Sequence, residues 1–327
     1  MLENIFEKLC KLLDLGELNN IEEIKVGITN KLFKMNTSKG SYAVKIINKD
    51  NIKKDNELLE KIEFSEHISD IANKNGVNSV TAIKFNNKYI QKLEEEHLLV
   101  YNWCSGCVKR TCDITLNDVK KIAKELGMLH SIKVNYDFLK VKYNKINFKI
   151  YYELLKKCNE EWCLFFKKNY TKLEKIYRLV YSSYQNVSSV QSYVHKDLNR
   201  KNILWLDNEP FIIDFETARV GNPYLDFFNS AWFLTADIQE DKFIAFYSEY
   251  KKYIKLDSDV KKLACAAIID ECNWLEYSLK RALKIHSNNE EEIRIGKESV
   301  TPSLNEIINY FKKIPRMCEL INSINEN

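Results

Sequence analysis

One stretch just past the middle of the chain gathers polar side chains that could hold a metal ion and move a proton. The apolar runs Ile203–Leu206 and Phe211–Ile213 are separated by turn-forming residues, a pattern that predicts a β-hairpin. Antiparallel pairing would place Asn202, before the first strand, beside Asp214, after the second, about 5 Å apart between backbones. Asp197 lies on the loop just upstream. Three oxygen-bearing side chains can therefore converge, and hard oxygen donors of this kind suit Mg²⁺.

The spacing of these residues matches a catalytic pattern. His195-x-Asp197-x-x-x-x-Asn202, followed by Asp214, is the signature of the protein-kinase-like fold. In that template the first Asp accepts the proton of the substrate hydroxyl, while the Asn and the second Asp hold Mg²⁺. The alternative is a hairpin whose carboxylates only cap turns. The order and spacing of all four residues favour the catalytic interpretation.

Two neighbouring motifs narrow the resemblance to one family. Asp-Phe-Glu at 214–216 and Gly-Asn-Pro-Tyr-Leu-Asp at 221–226 resemble the aminoglycoside phosphotransferase and choline kinase family of small-molecule kinases. The resemblance spans nearly the whole chain. It implies an α+β, bilobal protein-kinase-like fold, with ATP or GTP as co-substrate and Mg²⁺ as cofactor. It also places His195 in the catalytic loop with Asp197, and it singles out His195 and Asp226 as residues that brace this loop.

The implied lobes can be assigned along the sequence. Residues 1–102 are predicted to form a nucleotide-binding N-lobe with an antiparallel sheet and a helix at 55–74. Residues 103–107 would be the hinge, and residues 108–327 the larger, mostly helical C-lobe that carries the catalytic and substrate-binding residues. The predicted strands of the N-lobe are Glu23–Met35, Tyr42–Ile47, Ser79–Phe85, Lys88–Leu93 and His97–Asn102.

The nucleotide is expected to contact two parts of the N-lobe. Its phosphates would lie under the opening turn of the first hairpin, near Gly27 and Asn30. A lone glycine is weak evidence, but a Gly-x-x-Asn turn is similar to the family's version, in which backbone N–H groups meet the phosphates. At the hinge, the resemblance implies that adenine hydrogen-bonds the backbone between Asn102 and Cys104. Trp103 would either flank the adenine or pack between the lobes.

Lys45 is predicted to orient the phosphates. It alternates with apolar residues on a strand predicted to be buried on both faces, and a buried ammonium group needs a partner. In the kinase template the partners are a phosphate and a helix carboxylate. The resemblance favours Glu63 as this carboxylate, with Glu66 and Glu60 as competitors. The alternative is a lysine that snorkels from an edge strand.

The helical C-lobe is predicted to contain a core histidine and a candidate acceptor site. His130 ends a helix that starts near residue 115 and is expected to be a satisfied core residue. An insertion at 138–187 is predicted to form two helices that help to build the substrate pocket.

The helix Val260–Leu283 carries Glu271 in the middle of its apolar arc and Asp270 at the rim. These acids either bind an amino group of the acceptor or form internal pairs. Further predicted helices are Leu225–Thr235, Glu240–Lys252 and Leu304–Lys313.

Composition argues against several classes of protein. The net charge of the 327 residues is only +4, and the lysines are interspersed with acids, so no nucleic-acid-binding stripe is present. The N-terminus contains acids and lacks the features of a signal peptide. No apolar run approaches the roughly 20 residues that cross a bilayer. We therefore expect a cytoplasmic protein without nucleic-acid or membrane partners.

The nine cysteines are an odd number without an export signal, which predicts reduced thiols. Cys104, Cys107 and Cys112 resemble half of a metal site. No second Cys or His pair follows at zinc-ribbon spacing, so free thiols are favoured over a metal.

The sequence thus predicts a kinase that transfers the γ-phosphoryl group of ATP or GTP to a hydroxyl of a small molecule, with an aminoglycoside-like or other amino-bearing acceptor preferred. Kinases for choline, homoserine or sugars are the alternatives. A protein substrate is disfavoured, because no segment ending in Ala-Pro-Glu follows Asp214. A non-enzymatic scaffold, as in spore-coat proteins that resemble this fold, belongs to a different class. The intact Asp197, Asn202, Asp214 and Lys45 argue against it.

Overall fold

The computed structural model describes residues 2–24, 30–134, 143–256, 259–285 and 289–326. The strands are β1 (Leu18–Ile24), β2 (Lys31–Thr37), β3 (Gly40–Ile46), β4 (Gln91–Leu93), β5 (Glu96–Asn102), β6 (Ser192–Val194), β7 (Ile203–Leu206), β8 (Glu209–Ile212) and β9 (Arg219–Gly221). The helices are α1 (Leu2–Leu12), α2 (Lys49–Lys54), α3 (Leu58–Lys74), α4 (Leu116–Ser131), α5 (Phe148–Leu154), α6 (Glu161–Gln185), α7 (Pro223–Leu234), α8 (Glu240–Tyr250), α9 (Val260–Ala267), α10 (Ile269–Ala282) and α11 (Glu290–Glu326).

An antiparallel sheet with the order β1-β2-β3-β5-β4 forms the first lobe. Helix α1 covers one face, where Phe6 packs edge-on against Phe33 with 5.3 Å between ring centroids. Helix α3 covers the other face, where Ile62 joins an apolar cluster with Leu99. Strand β3 lies at the centre and is buried on both faces, as its alternating sequence predicts. Lys45, on this strand, therefore cannot be a lysine of an edge strand.

Two strand predictions need correction. The predicted strand Glu23–Met35 is divided between β1 and β2, which pair antiparallel with each other. The predicted strand Ser79–Phe85 makes only isolated bridges, one of them between Ser79 and Ile212 of the β7–β8 hairpin. This segment passes from the sheet to the other lobe, so it cannot lie along β5 for its whole length.

The second lobe is mostly helical and holds the larger apolar core. Helix α4 begins with a capping box, in which Thr115 and Asp118 satisfy each other's backbone N–H groups. Near its other end His130 is buried, with Nδ1 2.7 Å from the Tyr250 hydroxyl and Nε2 3.0 Å from the Asp226 carboxylate. His130 is therefore the satisfied core histidine that the sequence predicts.

Two short strand pairs hold the loops of the second lobe. β7 and β8 form the predicted hairpin, and β6 pairs antiparallel with β9. The chain leaves the first sheet after Asn102, and Cys107 then exchanges two backbone hydrogen bonds with Trp205 of β7, at 2.8 and 3.0 Å. The predicted hinge at 103–107 lies between these two attachments.

Two helix predictions are wrong in their extent. The predicted helix Val260–Leu283 is interrupted at Ile268, which separates α9 from α10. The last helix was expected to stop before Pro315, but α11 runs through Pro302 and Pro315. A proline removes one intrahelical hydrogen bond. Because α11 buries a long apolar face against α10 and the core, tertiary packing outweighs this local loss.

The insertion contains the two predicted helices, α5 and α6; residues 138–142 of the predicted range lie outside the described residues. Cys158 and Cys163, at the start of α6, form a disulfide with 6.0 Å between their Cα atoms. The expectation of nine reduced thiols is therefore wrong for this pair, which the α5–α6 turn brings within disulfide range. The remaining seven cysteines are free thiols. Within the described chain, every helix is too short or too polar to cross a bilayer.

Candidate active site

A buried carboxylate fixes the loop between β6 and β7. Asp226, in the first turn of α7, accepts hydrogen bonds from the backbone N–H groups of His195 and Lys196, both at 2.9 Å. It also contacts the ring of His130. Burial would raise the pKa of Asp226, but the bond to His130 and the nearby cations outweigh it and hold the pKa below the usual value. Lys196 adopts a left-handed φ of 71°, so these two bonds stabilise a strained turn just before Asp197.

The His195 ring is held by hydrogen bonds at both of its nitrogens. Its Nε2 donates to the carbonyl of Ile213 at 3.1 Å, and its Nδ1 accepts from the backbone N–H of Asp197 at 3.3 Å. The hydroxyl of Thr217 donates to its carbonyl at 2.9 Å. The ring is thus fully engaged between the loop and the β8 end of the hairpin, and its side chain is buried. These contacts fit the bracing role that the family resemblance implies for His195.

Asp197 lies on the floor of the cleft with its carboxylate oriented by two amides. Oδ1 accepts from the Asn199 side chain at 2.8 Å, and Oδ2 accepts from the Asn202 side chain at 2.9 Å. The residue stays accessible to solvent. Surrounding protein nevertheless desolvates the carboxylate, and together with the charge of Asp214 this raises its pKa. A carboxylate held in this way can accept a proton from a bound hydroxyl group.

Asn202 and Asp214 face each other at the mouth of the hairpin, as predicted. The backbone N–H of Ile213 donates to the carbonyl of Asn202 at 3.0 Å and closes the mouth. Because the Asn202 amide nitrogen is used by Asp197, its Oδ1 is the atom that could bind a metal. Asp214 has a left-handed φ of 62°, which turns its carboxylate into the cleft beside Lys45.

These two oxygen donors fit Mg²⁺. Among the described residues, no group of three or more His, Cys, Asp or Glu side chains is arranged to hold a metal ion. Mg²⁺ in phosphoryl-transfer sites needs only one or two protein oxygens, because phosphates and water complete its shell. The donor set of Asn202 and Asp214 is of that kind.

Lys45 bridges the lobes through two carboxylates. Its Nζ lies 2.8 Å from Glu216 and 2.9 Å from Asp214, and its side chain is 16% exposed. Burial would lower the pKa of Lys45, but the two acids raise it further and keep the ammonium charged. Glu216 also accepts from the Asn30 side chain at 2.8 Å, and Asn30 in turn accepts from the backbone N–H of Asn48 at 3.0 Å. Glu216, which the sequence motif contains but to which no role was assigned, therefore joins the N-lobe turn to Lys45.

The predicted partner Glu63 does not reach Lys45. Its carboxylate accepts from the backbone N–H groups of Tyr89 at 3.1 Å and Ile90 at 2.8 Å. Glu63 therefore binds the backbone just before β4 and does not face the cleft. Glu60 is exposed to solvent and is not a partner either.

Glu66 is the acid of α3 that faces the cleft. It is 1% exposed, and its Oε1 accepts from the Tyr101 hydroxyl at 2.6 Å. Burial raises the pKa of Glu66 to about 7, against the opposing effects of Tyr101 and Lys45. Its Oε2 has no hydrogen-bond partner among the described residues. Glu63 and Glu66 are three residues apart, so sequence spacing alone could not decide which one the strand β3 would meet.

The remaining nucleotide-site predictions have different outcomes. Gly27 lies outside the described residues. Asn102 is the last residue of β5, and the Cys104 thiol is free. Trp103 donates its backbone N–H to the Ser41 carbonyl at 3.0 Å. Its ring lies 4.5 Å from the ammonium group of Lys34. Trp103 therefore packs on the first sheet, and this contact does not distinguish between its two predicted roles.

The two acids of α10 have contrasting surroundings. Asp270 is paired with Lys196, accepts from the Tyr143 hydroxyl, and accepts from the Asn229 side chain at 3.1 Å. It is an internal ion-pair residue, so its predicted role in holding the acceptor does not fit this arrangement. The pair ties α10 to the catalytic loop.

Glu271 has neither a hydrogen bond nor an ion pair within the described part of the chain. The charges around it are those of Glu306, Asp270 and Asp197, which add to burial in raising its pKa to about 7. Glu306 accepts a hydrogen bond from the indole N–H of Trp232. No signal in the sequence indicated Glu306, because its nearness to Glu271 depends on how α11 packs against α10.

One family model matches this sequence. The phosphotransferase enzyme family model covers residues 20–256, more than two thirds of the chain. No curated protein has a sequence similar enough to give a match.

Solved structures share the fold. A spectinomycin phosphotransferase in complex with ADP and spectinomycin has a TM-score of 0.65 and 15% identity, with 92% of this chain and 98% of that chain covered. An amicoumacin kinase in complex with AMP-PNP and Ca²⁺ has a TM-score of 0.63 and 13% identity, with coverages of 93% and 92%. A choline kinase from Streptococcus pneumoniae has a TM-score of 0.60 and 18% identity, with coverages of 93% and 99%.

At these identities the structural likeness establishes the fold, which is the bilobal kinase-like fold that the motif spacing predicts. The family match extends to the motifs between His195 and Asp226, and their side chains lie together in the cleft between the lobes. The chain belongs to the phosphotransferase enzyme family.

Proposed function

We propose that this phosphotransferase is a small-molecule kinase that transfers the γ-phosphoryl group of ATP or GTP to a hydroxyl of an acceptor carrying an amino or quaternary ammonium group. The observation that carries the proposal is the unpaired carboxylate of Glu271 within electrostatic range of Asp197. A cation bound at Glu271 would place its own molecule beside the candidate base. The choline kinase among the structural neighbours is named for a cationic acceptor, which supports this choice.

Each residue of the cleft has a distinct role in this proposal. Asp197 accepts the hydroxyl proton as the acceptor oxygen attacks the phosphorus, and its bond to Asn202 keeps the carboxylate oriented. Asn202 and Asp214 would hold Mg²⁺, which neutralises charge on the transferring phosphate when bound. Lys45 would contact the phosphates while it keeps Glu216 or Glu66 as its carboxylate partner.

A groove between α10 and α11 lies one helical turn from Glu271 and offers an aromatic contact to a cationic acceptor. Trp274, one helical turn beyond Glu271, is 46% exposed and lines a cavity of about 510 Å³ with Ser303 and residues of the first half of α11. Glu306 lies one turn beyond Ser303 on α11. An exposed indole face and a carboxylate attract the same kind of ligand, because both stabilise a positive charge. The carboxylates that line this groove, Glu291 and Glu298, are paired with Arg294, so Trp274 and Glu271 are the groups assigned to the cation.

The acceptor is tested by a screen followed by one substitution. Purified protein with Mg·ATP should phosphorylate hydroxylated amines, such as aminoglycosides or choline, in preference to uncharged sugars. For the best acceptor, Glu271→Gln should raise KM by about tenfold or more, a loss of ~1.4 kcal/mol, with the KM for ATP unchanged. Glu319→Gln, an exposed position on α11, is the matched control. An uncharged sugar as the best acceptor, or an unchanged KM, would overturn the cationic-acceptor proposal.

The pKa of Glu271 gives an independent test that needs no substrate. A carboxyl whose pKa rises from 4.5 to about 7 on folding contributes stability that is complete below pH 4.5 and is lost as the pH rises through 7. Glu271→Gln has no charge to desolvate. The variant should therefore match the wild type at pH 4 and exceed it in Tm at pH 8, measured without ligands. Equal Tm values at both pH values would show that Glu271 already has a partner.

A further inference from the structure

A second cavity lies beside Lys196, the ion-pair partner of Asp270. It has a volume of about 560 Å³ and is bounded by the end of α6, the segment 187–191, strand β9 and the start of α7. This volume is within the range of small-molecule binding sites. Among its described lining residues are two cations, Lys196 and Arg219, and no carboxylate. The charged side chains of its described lining are therefore basic, in contrast to the carboxylate Glu271.

The two cations of this cavity are not equivalent. Lys196 is neutralised by Asp270. Arg219 donates its Nε–H to the Thr217 carbonyl at 3.0 Å and has no carboxylate partner among the described residues. Its backbone is held by pairing with Val194 in the β6–β9 ladder. The plane of the guanidinium is thus fixed while its terminal N–H groups remain available, which is the geometry that binds a carboxylate or phosphate through two parallel hydrogen bonds.

Two further features of the cavity also suit an anion. The Oγ of Ser188 is buried and has no hydrogen-bond partner within the described chain, although a buried hydroxyl normally has one. Asn222 and Leu225, at the N-terminus of the 12-residue helix α7, line the same cavity, and the helix dipole there favours negative charge. Asn222 also ties Ser188 to the helix, because its side-chain amide donates to the Ser188 carbonyl at 3.0 Å.

The aromatic residues that line the cavity indicate which kind of molecule bears the negative charge. Tyr143, Tyr181 and Tyr184 line the cavity, and the rings of Tyr143 and Tyr184 lie 5.5 Å apart between centroids. Tyr143 is also within electrostatic range of Arg219. Aromatic walls with one unpaired guanidinium match a planar or aromatic body with a single negative charge.

We propose that this cavity is a binding site for a small aromatic carboxylate, with Arg219 holding the carboxylate and the tyrosines packing against the ring. The site is separate from the nucleotide site and from the α10–α11 groove. It does not depend on the proposed acceptor, since binding can be measured without turnover.

The test uses 4-fluorobenzoate as the probe and its fluorine resonance as the readout. The full-length wild-type protein should broaden and shift this signal saturably, both alone and with saturating Mg·AMP-PNP. The neutral isostere 4-fluorobenzamide should bind at least tenfold more weakly, a comparison that needs no variant. Arg219→Gln should weaken 4-fluorobenzoate binding at least tenfold, Arg219→Lys less, and Ser188→Ala a few-fold. Arg178→Gln, at an exposed position on α6 outside the cavity, should change affinity less than twofold.

Four results would overturn the proposal. They are the absence of saturable binding by the wild type, equal affinity for the benzamide, an equal loss in Arg178→Gln, and displacement of the probe by Mg·AMP-PNP. The last result would assign the probe to the nucleotide site. Thermal unfolding of each variant separates loss of binding from loss of fold.

Discussion

Carboxylates around the cleft differ in their partners more than in their burial. Asp226 is completely buried, yet its pKa is lowered because His130 and two backbone N–H groups hold the charge. Glu66 and Glu271 are also desolvated, but they have too few donors, and the pKa of each rises to about 7. A buried acid whose charge is well compensated organises structure. A buried acid whose charge is compensated only in part, as in Glu66 with its bond from Tyr101, or by no described group, as in Glu271, is a candidate for binding a ligand.

Asp197 is the residue on which turnover should depend most strongly. Asp197→Asn removes the proton acceptor and places an amide against the amides of Asn199 and Asn202. We expect turnover to fall by about 10²–10⁴, with nucleotide affinity within a few-fold of the wild type, because the side chain is assigned to the acceptor and not to the metal. Steady-state rates and AMP-PNP titrations measure the two effects. Asp241→Asn, an exposed position on α8, is the control, and near-normal turnover of Asp197→Asn would contradict the assignment.

Glu216 and Glu63 give a matched pair of substitutions. Glu216→Gln weakens the contact that positions Lys45 and should raise the KM for ATP several-fold. Glu63→Gln affects a carboxylate that binds two backbone N–H groups away from the cleft. We expect it to lower the free energy of unfolding by about 1–3 kcal/mol without changing the KM for ATP. Initial rates give the KM for ATP of both variants, and urea unfolding gives their stability. If Glu63→Gln raised the KM for ATP and Glu216→Gln did not, Glu63 would be the partner of Lys45.

At the scale of elements, local signals were sufficient where an element is defined by its own sequence. The β7–β8 hairpin follows from two apolar runs and a turn, and α4 follows from its apolar spacing. Predictions failed where distant packing decides. The segment near Ser79 bridges to the hairpin of the other lobe, and α11 tolerates two prolines because its apolar face is buried. Neither the hairpin that contacts Ser79 nor the core that packs against α11 can be identified from the neighbouring residues in the sequence.

The packing of α11 on α10 can be tested at a single glycine. A Cβ at Gly296 would lie 2.5 Å from the backbone nitrogen of Ala282 and 2.7 Å from the Cβ of Arg281. Gly296→Ala should therefore force the two helices apart and cost about 1–3 kcal/mol, despite the better helix propensity of alanine. Ser299→Ala, one turn further along α11, should cost less. Urea unfolding compares the two, and a more stable Gly296→Ala would show that the contact is not tight.

At the scale of the molecule, three of the contacts that join the described parts of the two lobes lie around the hairpin. Lys45 of β3 contacts Asp214 and Glu216, Asn30 contacts Glu216, and Ser79 bridges to Ile212. All three contacts involve the end of the hairpin or the turn that follows it. The chemistry of this hairpin could be predicted from the spacing of its motif. Its interlobe contacts could not, because the residues lie more than a hundred positions apart in sequence.

Asp214 links these interlobe contacts to nucleotide binding. Lys45 lies 2.9 Å from its carboxylate, so a metal ion bound to Asp214 would compete with this bond. In the wild type, AMP-PNP at about 100 times its Kd should stabilise the fold by ~2.7 kcal/mol, and only with Mg²⁺ present.

Asp214→Asn keeps the side-chain shape, tolerates the left-handed backbone and leaves Lys45 paired with Glu216. Its Tm without nucleotide should stay close to that of the wild type, while the Mg²⁺-dependent part of the shift disappears because an amide is a much weaker metal ligand than a carboxylate. Asp207→Asn, exposed and left-handed in the turn of the same hairpin, should retain the whole shift. If Asp214→Asn retains it too, the mouth of the hairpin is not the metal site.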